Sequence, residues 1–267
     1  MPTNKAFKKR WAEYLLLAGI SGIIIMVGFF LFVMRPLSPK RCEGIQWYNV
    51  CIPQMHQPNI HGLDISHYQG AINWQQLQQA QQAPVPLRFI FMKATEGETL
   101  ADSLFQRNFA LARQHGFIRG AYHYFLPSKS AVQQALFFIQ NVKLQDGDLP
   151  PVLDVEVTNG KSPKELQHLV LQWMHIVEQH YKVKPILYAS FKFRLRYLDN
   201  PTIAQYPYWI AHYHVDSVLY QGEWHFWQHT DKANVPGILP AVDLNIFNGG
   251  IEELKLLTIG SIKATTP

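Results

Sequence analysis

The apolar run Pro150-Pro151-Val152-Leu153-Asp154-Val155-Glu156 ends in two carboxylates, and the chemistry of the chain is read outward from them. Set two residues apart on a strand, Asp154 and Glu156 leave the same face of the pleat. Acids are costly to desolvate, and at the carboxyl end of a buried parallel strand they point into the crevice where α/β folds keep their chemistry. The pair marks the centre of an expected active site; the plainer alternative is two strand-end acids that bind a helix N-terminus or a cation. On a pattern of eight strands, Asp64, Lys93, Glu96, Tyr122, Tyr124, Tyr188, Trp209, Trp227, Gln228 and Asp243 also fall at or near strand ends. Acids and aromatic rings around one cleft suit a carbohydrate. Ring faces stack on sugars, while carboxyl groups donate a proton and stabilise an oxocarbenium-like transition state. Each aromatic residue has a competing role as barrel core.

Other chemistries are poorly supported. His212 and His214 alternate at a strand end, but no third ligand stands at metal-site spacing, so no metal is expected. Gly160-Lys161-Ser162 resembles the end of a phosphate-binding loop, yet Val155 occupies the position of its first glycine. Ser190 lacks the glycines of a nucleophile elbow. No cofactor is expected.

The elements that must position these residues alternate. Strands are predicted at 61–65, 87–93, 118–125 and 150–156, with helices between them at 74–82 (capped by Asn73), from Asp102 to a stop at Gly116, and at about 131–142. Ser162-Pro163-Lys164-Glu165 reads as a capping box opening a helix whose buried stripe is Leu166, Leu169, Val170, Trp173 and Val177. Further strands are predicted at 184–190, 206–212, 223–228 and 240–247, separated by short intervals poor in helix signal. This order predicts one α/β domain over 60–267, a modified and partly incomplete (β/α)8 barrel.

Ahead of it, residues 15–34 form an uncharged apolar stretch of 20, enough for a helix to span roughly 30 Å of hydrocarbon. The run exceeds a usual signal-peptide core and no small-x-small cleavage site follows, so a retained transmembrane signal anchor is expected. The basic tail 1–14 would stay in the cytoplasm. Residues 35–59, with Pro36, Pro39, Pro53 and Pro58, read as a stalk. Cys42 and Cys51 suit one small disulfide on an oxidising side of the membrane, the alternative being two free thiols. The net charge of +5 is misleading: residues 1–41 carry seven Lys and Arg against Glu13 alone, which leaves the rest at −1. A nucleic-acid partner is therefore not expected. Nothing in the residues sets an oligomeric state.

Several blocks resemble the family 25 glycoside hydrolases. They are His61-Gly62-Leu63-Asp64-Ile65-Ser66-His67-Tyr68-Gln69-Gly70, Phe91-Met92-Lys93-Ala94-Thr95-Glu96-Gly97, Gly120-Ala121-Tyr122-His123-Tyr124-Phe125 and Leu153-Asp154-Val155-Glu156, followed by Ile186-Leu187-Tyr188-Ala189-Ser190, Tyr208-Trp209-Ile210-Ala211-His212-Tyr213, Phe226-Trp227-Gln228-His229-Thr230 and Val242-Asp243-Leu244-Asn245. The resemblance runs in order over about 61–249 and leaves out the apolar stretch, the cysteines and the extreme C-terminus. It implies a lysozyme that cuts peptidoglycan glycan strands between N-acetylmuramic acid and N-acetylglucosamine. It further implies Glu156 as proton donor, Asp154 as its assistant at the 2-acetamido group, and Asp64 and Asp243 completing an acidic cleft. Lys93, Tyr122, Tyr124, Tyr188, Trp209, Trp227 and Gln228 would contact the glycan. The carboxylate spacing fits either a covalent nucleophile or acetamido assistance, and the resemblance leans to the latter with retention. The expected location is single-pass in an inner (cytoplasmic) membrane, with the catalytic domain on the periplasmic or other extracytoplasmic side. The rivals are a non-catalytic wall-binding module that keeps the fold, and a hydrolase of another acetamido-sugar polymer such as chitin.

Overall fold

The computed structural model describes residues 26, 42, 44–53 and 60–261. The basic tail and the apolar stretch lie outside the described residues except for Met26, which is helical. Among the described residues no helix is long and apolar enough to cross a membrane. The chain divides into two compact units, 1–42 and 43–267, and every described strand belongs to the second.

Eight strands of this unit close into a barrel: β3 (Ile60–Ile65), β4 (Leu87–Glu96), β6 (Ile118–Tyr124), β7 (Val152–Asp154), β8 (Ile186–Ser190), β9 (Tyr208–Ala211), β10 (Phe226–Ala233) and β11 (Val242–Phe247). Pairing is parallel from β3 through β10. β11 then closes the circle antiparallel to both β10 and β3. The short strand β5 (Leu100–Ala101) folds back antiparallel on the end of β4. Helices α1 (Trp74–Gln79), α2 (Phe105–Gln114), α3 (Ala131–Asn141), α4 (Pro163–Tyr181) and α5 (Phe191–Tyr197) follow β3, β4, β6, β7 and β8 in turn, and α6 (Ile251–Leu257) follows β11. The barrel is therefore closed, and what it lacks is helical cover between β9 and β11.

Strand β4 shows why the sequence folds this way. It is buried on both faces, as a strand between a barrel interior and a helical layer must be. Phe89 and Phe91 point inward with Trp209, Phe226 and Phe247, whereas Ile90 and Met92 point outward beneath the helices. Inside, Phe91 stacks on Trp209 with ring centroids 4.5 Å apart. Two glycines make room for this filling. A Cβ on Gly62 would come within 2.4 Å of the Phe89 ring, and one on Gly120 within 2.4 Å of the Phe91 ring.

Helix α4 starts at the predicted capping box, with Ser162 and Glu165 exchanging hydrogen bonds. Its buried stripe is Leu166, Val170, Trp173, Met174 and Val177, so Met174 takes the place expected of Leu169, which is only partly buried. Asp102 does not cap α2: that helix opens after Leu104, and the Asp102 carboxylate accepts hydrogen bonds from the backbone N–H groups of Leu104 and His67 instead. The stretch read as a stalk is partly folded. Strands β1 (Ile45–Trp47) and β2 (Val50–Ile52) form a hairpin turned by Tyr48 and Asn49, whose φ angles of 51° and 58° are those of a two-residue primed turn. The hairpin docks on the barrel: Tyr48 and Ile52 are buried in its outer core, and the Tyr48 hydroxyl donates to the Val85 carbonyl at 3.0 Å. Both cysteines are disulfide-bonded and neither is a free thiol.

Candidate active site

The carboxyl ends of the parallel strands open on a cavity of about 240 Å³, lined on its acidic side by Asp64, Asp154, Glu156 and Asp243. That is smaller than the roughly 300–1,000 Å³ of a pocket that engulfs its ligand. The four acids arrive from three strands. Asp154 closes β7, in register with Tyr124 of β6 and Tyr188 of β8, and Glu156 follows two residues later. Asp64 on β3 lies directly across from Asp243 on β11.

Like charges so placed repel, and burial raises the cost of each ionised form. Burial pushes Asp243 up to about 9, helped by Asp64 and Asp231. Asp64 is raised to about 6, burial outweighing the hydrogen bonds it accepts from Asn245 and Gln228. Asp154 is raised well above the usual carboxylate range by burial, then by Glu156 and Asp64, and its Oδ1 has no hydrogen-bond partner. Glu156 is exposed to solvent at its residue surface, yet partial burial of its carboxyl against the cleft walls raises it, against the nearby Tyr188 hydroxyl and the charge of Lys93. Lys93 is the one cation of the lining. It pairs with Glu96 at 2.6 Å and lies 5.0 Å from the centre of the Tyr124 ring.

The structure brings Glu156, Asp154, Asp64, Asp243, Lys93, Tyr122, Tyr124, Tyr188, Trp209 and Gln228 to this one lining. One of the expected substrate contacts needs correction. Trp227 is fully buried outside the lining, its indole N–H donating to the His212 carbonyl at 2.8 Å. Because neighbours on a strand face opposite ways, placing Gln228 toward the cleft already turns Trp227 toward the helices. Gln228 lines the cleft as expected: Oε1 accepts from the Tyr188 and Tyr213 hydroxyls, and one Nε2 N–H donates to Asp64 Oδ2 at 2.8 Å.

Three lining residues were missed: Ser66, Tyr68 and Tyr213. Strand alternation does not reach them: Ser66 and Tyr68 lie past the end of β3, before and in a single helical turn over His67–Gln69, and Tyr213 lies past the end of β9, so nearness to strand ends was their one signal. Tyr68 is 76% exposed, its ring 4.2 Å from that of His67, which Asp102 holds through Nδ1 at 2.8 Å. Among the described residues no cluster of His, Cys, Asp and Glu is placed to hold a metal ion. An array of raised acids beside aromatic rings, with one acid open to solvent, is equipped to protonate a leaving oxygen and to stabilise the cation left behind.

Comparison with known proteins gives the same reading. The family model for glycosyl hydrolases family 25 matches residues 63–238. The protein YegX of Escherichia coli K12 is 45% identical over 207 residues, 77% of this chain and 75% of that one. Lysozyme M1 of Streptomyces globisporus is 32% identical over 217 residues, covering 74% of this chain and 71% of the relative. Among solved structures, a bacterial lysozyme from Streptomyces coelicolor superposes with a TM-score of 0.70 at 29% identity, over 77% of this chain and 99% of its own.

Proposed function

The chain belongs to family 25 of the glycosyl hydrolases and is a glycoside hydrolase, and from that premise we propose that it is a membrane-anchored lysozyme cutting peptidoglycan between N-acetylmuramic acid and N-acetylglucosamine. The observation that carries the reading is the pair at the end of β7: Asp154 with an unpartnered Oδ1, and Glu156 just beyond the strand with a raised pKa and access to solvent. Glu156 donates its proton to the glycosidic oxygen as the bond from that oxygen to the anomeric carbon breaks. The carbonyl oxygen of the 2-acetamido group closes on that carbon, and Asp154 accepts the acetamido N–H as positive charge spreads over the new ring. Water then opens the intermediate with retention, giving up a proton to the Glu156 carboxylate. Asp64, held ionised, deepens the negative field around the developing cation, while Asp243, pushed up to about 9, lines the cleft as a neutral acid.

Residues 15–34 anchor the enzyme in the inner membrane, with residues 1–14 in the cytoplasm and the barrel on the wall side. A bridge between Cys42 and Cys51 fits that oxidising compartment.

Release of reducing ends from purified peptidoglycan tests the chemistry. The parent should yield fragments ending in reducing N-acetylmuramic acid, identified by mass spectrometry, and Glu156→Gln should lose at least about a hundredfold in rate. Binding to the wall without cleavage by either protein would overturn the reading in favour of a wall-binding module.

A further inference from the structure

Asp64 is held in a way its neighbours are not. Its Oδ2 accepts two amide N–H groups, from Asn245 Nδ2 at 2.7 Å and Gln228 Nε2 at 2.8 Å. Among the described residues no donor holds Oδ1, although Asp64 lines the cleft. An amide can present either end to a carboxylate, and only its other partners decide which. Here they do. Asn245 Oδ1 accepts the Trp209 indole N–H, which can only donate, at 2.8 Å. Gln228 Oε1 accepts two phenols. Both amides are therefore locked with their N–H ends toward Asp64, and both are almost wholly buried, at 0% and 3% exposure. Asn245 is outside the cavity lining and touches Asp64 from behind.

We propose that Asn245 and Gln228 are positioning residues that hold Asp64 ionised, with Oδ2 engaged and Oδ1 turned to the substrate, a role that rests on the hydrolase reading of the same cleft. A clamp of this kind is needed because the surroundings of Asp64 favour its protonated form. Asp243 faces it from β11, Asp154 and Glu156 from β7 and the loop after it. The phenols of Tyr122, Tyr188 and Tyr213 close in from β6, β8 and the end of β9, and Lys93 of β4 is engaged by Glu96. Two amide donors are what this carboxylate has against that company, and hydrogen bonds to the charged form favour it.

The test uses the full chain in detergent, with side-chain carboxyl and amide groups followed by NMR as pH is varied, and Asp64→Asn assigning the carboxyl signal. In the unmutated protein the side-chain amides of Asn245 and Gln228 should titrate with the same midpoint as Asp64. In the near-isosteric Asn245→Leu and Gln228→Met variants the Asp64 midpoint should rise by about one pH unit, the size of one lost hydrogen bond to a charged group. The acid limb of the pH–kcat/KM profile on solubilised peptidoglycan should move up with it, and kcat should fall about ten- to a hundredfold while KM changes little. Amide signals that ignore the Asp64 titration, or variants that lower Tm while leaving the midpoint and profile unmoved, would overturn the proposal. A parent that never releases reducing ends defeats the hydrolase reading instead, and the titration still judges the clamp.

Discussion

Asp243, pushed up to about 9, keeps its proton at neutral pH. The unfolded chain gives that proton up near the ordinary value of 3.8, so the folded state binds the extra proton between those limits and stability falls as pH rises through them. Asp64, raised to about 6, adds to the fall over the lower part of the same window. Burial holds His61, His123 and His229 down at about 4, 3 and 3, which works the other way below about pH 6.5, so the acids' share is read as the difference in Tm between the parent and Asp243→Asn across that range. Asp243→Asn should flatten this dependence and raise Tm at pH 8, by about 2–4 °C for each kcal/mol of repulsion relieved. Tyr68 makes the opposite demand: it is 76% exposed with its ring against that of His67, so Tyr68→Ala should leave Tm nearly unchanged and raise KM about three- to tenfold, the size of one aromatic contact. The acids of this cleft were legible in the sequence because an acid at the end of an apolar strand is conspicuous. The amide clamp was not. Asn245 follows Asp243 at the same two-residue step that joins Asp154 to Glu156, but a neutral amide in a buried strand gives no signal until its partner 181 residues earlier is in place.

The elements fell where hydrophobic runs and caps put them, and the departures share one cause. A strand read alone carries no direction, so nothing in 240–247 distinguished the antiparallel β11 from a last parallel strand. Its partners at both edges decide that, and they are brought together only when the barrel closes. The hairpin of β1 and β2 was hidden for a related reason: three-residue strands are too short to show a period, and Tyr48 and Ile52 are anchored by the barrel they dock on. α5 and α6, at seven residues each, likewise fall below the length at which a helical repeat is visible. Gly120 tests how tightly strand packing is tied to the cleft floor. Gly120→Ala drives a methyl into the Phe91 ring and disturbs its stack on Trp209. The expected cost is about 1–3 kcal/mol of stability, read by chemical denaturation, together with reduced activity because Trp209 lines the cleft.

At the scale of the whole molecule, the charge divides as the chain does, with the basic excess in residues 1–41 and a nearly neutral remainder. Deleting residues 1–41 should move the protein from the membrane fraction to the soluble one while leaving its rate on isolated peptidoglycan within about twofold, since the barrel unit has its own core. Protein expressed from the whole chain but found in the soluble fraction, shortened near residue 35, would mean instead that the apolar stretch is cleaved. The antiparallel strand has a further consequence, in time rather than space. β3 is among the first barrel strands to be synthesised and β11 is the last, yet Asp64 obtains Asp243 and Asn245 only when β11 slots between β3 and β10. A chain still on the ribosome, or one broken off before residue 242, has an open sheet and an unassembled set of acids. The set of acids in this glycoside hydrolase is thus completed only when its last barrel strand has been made.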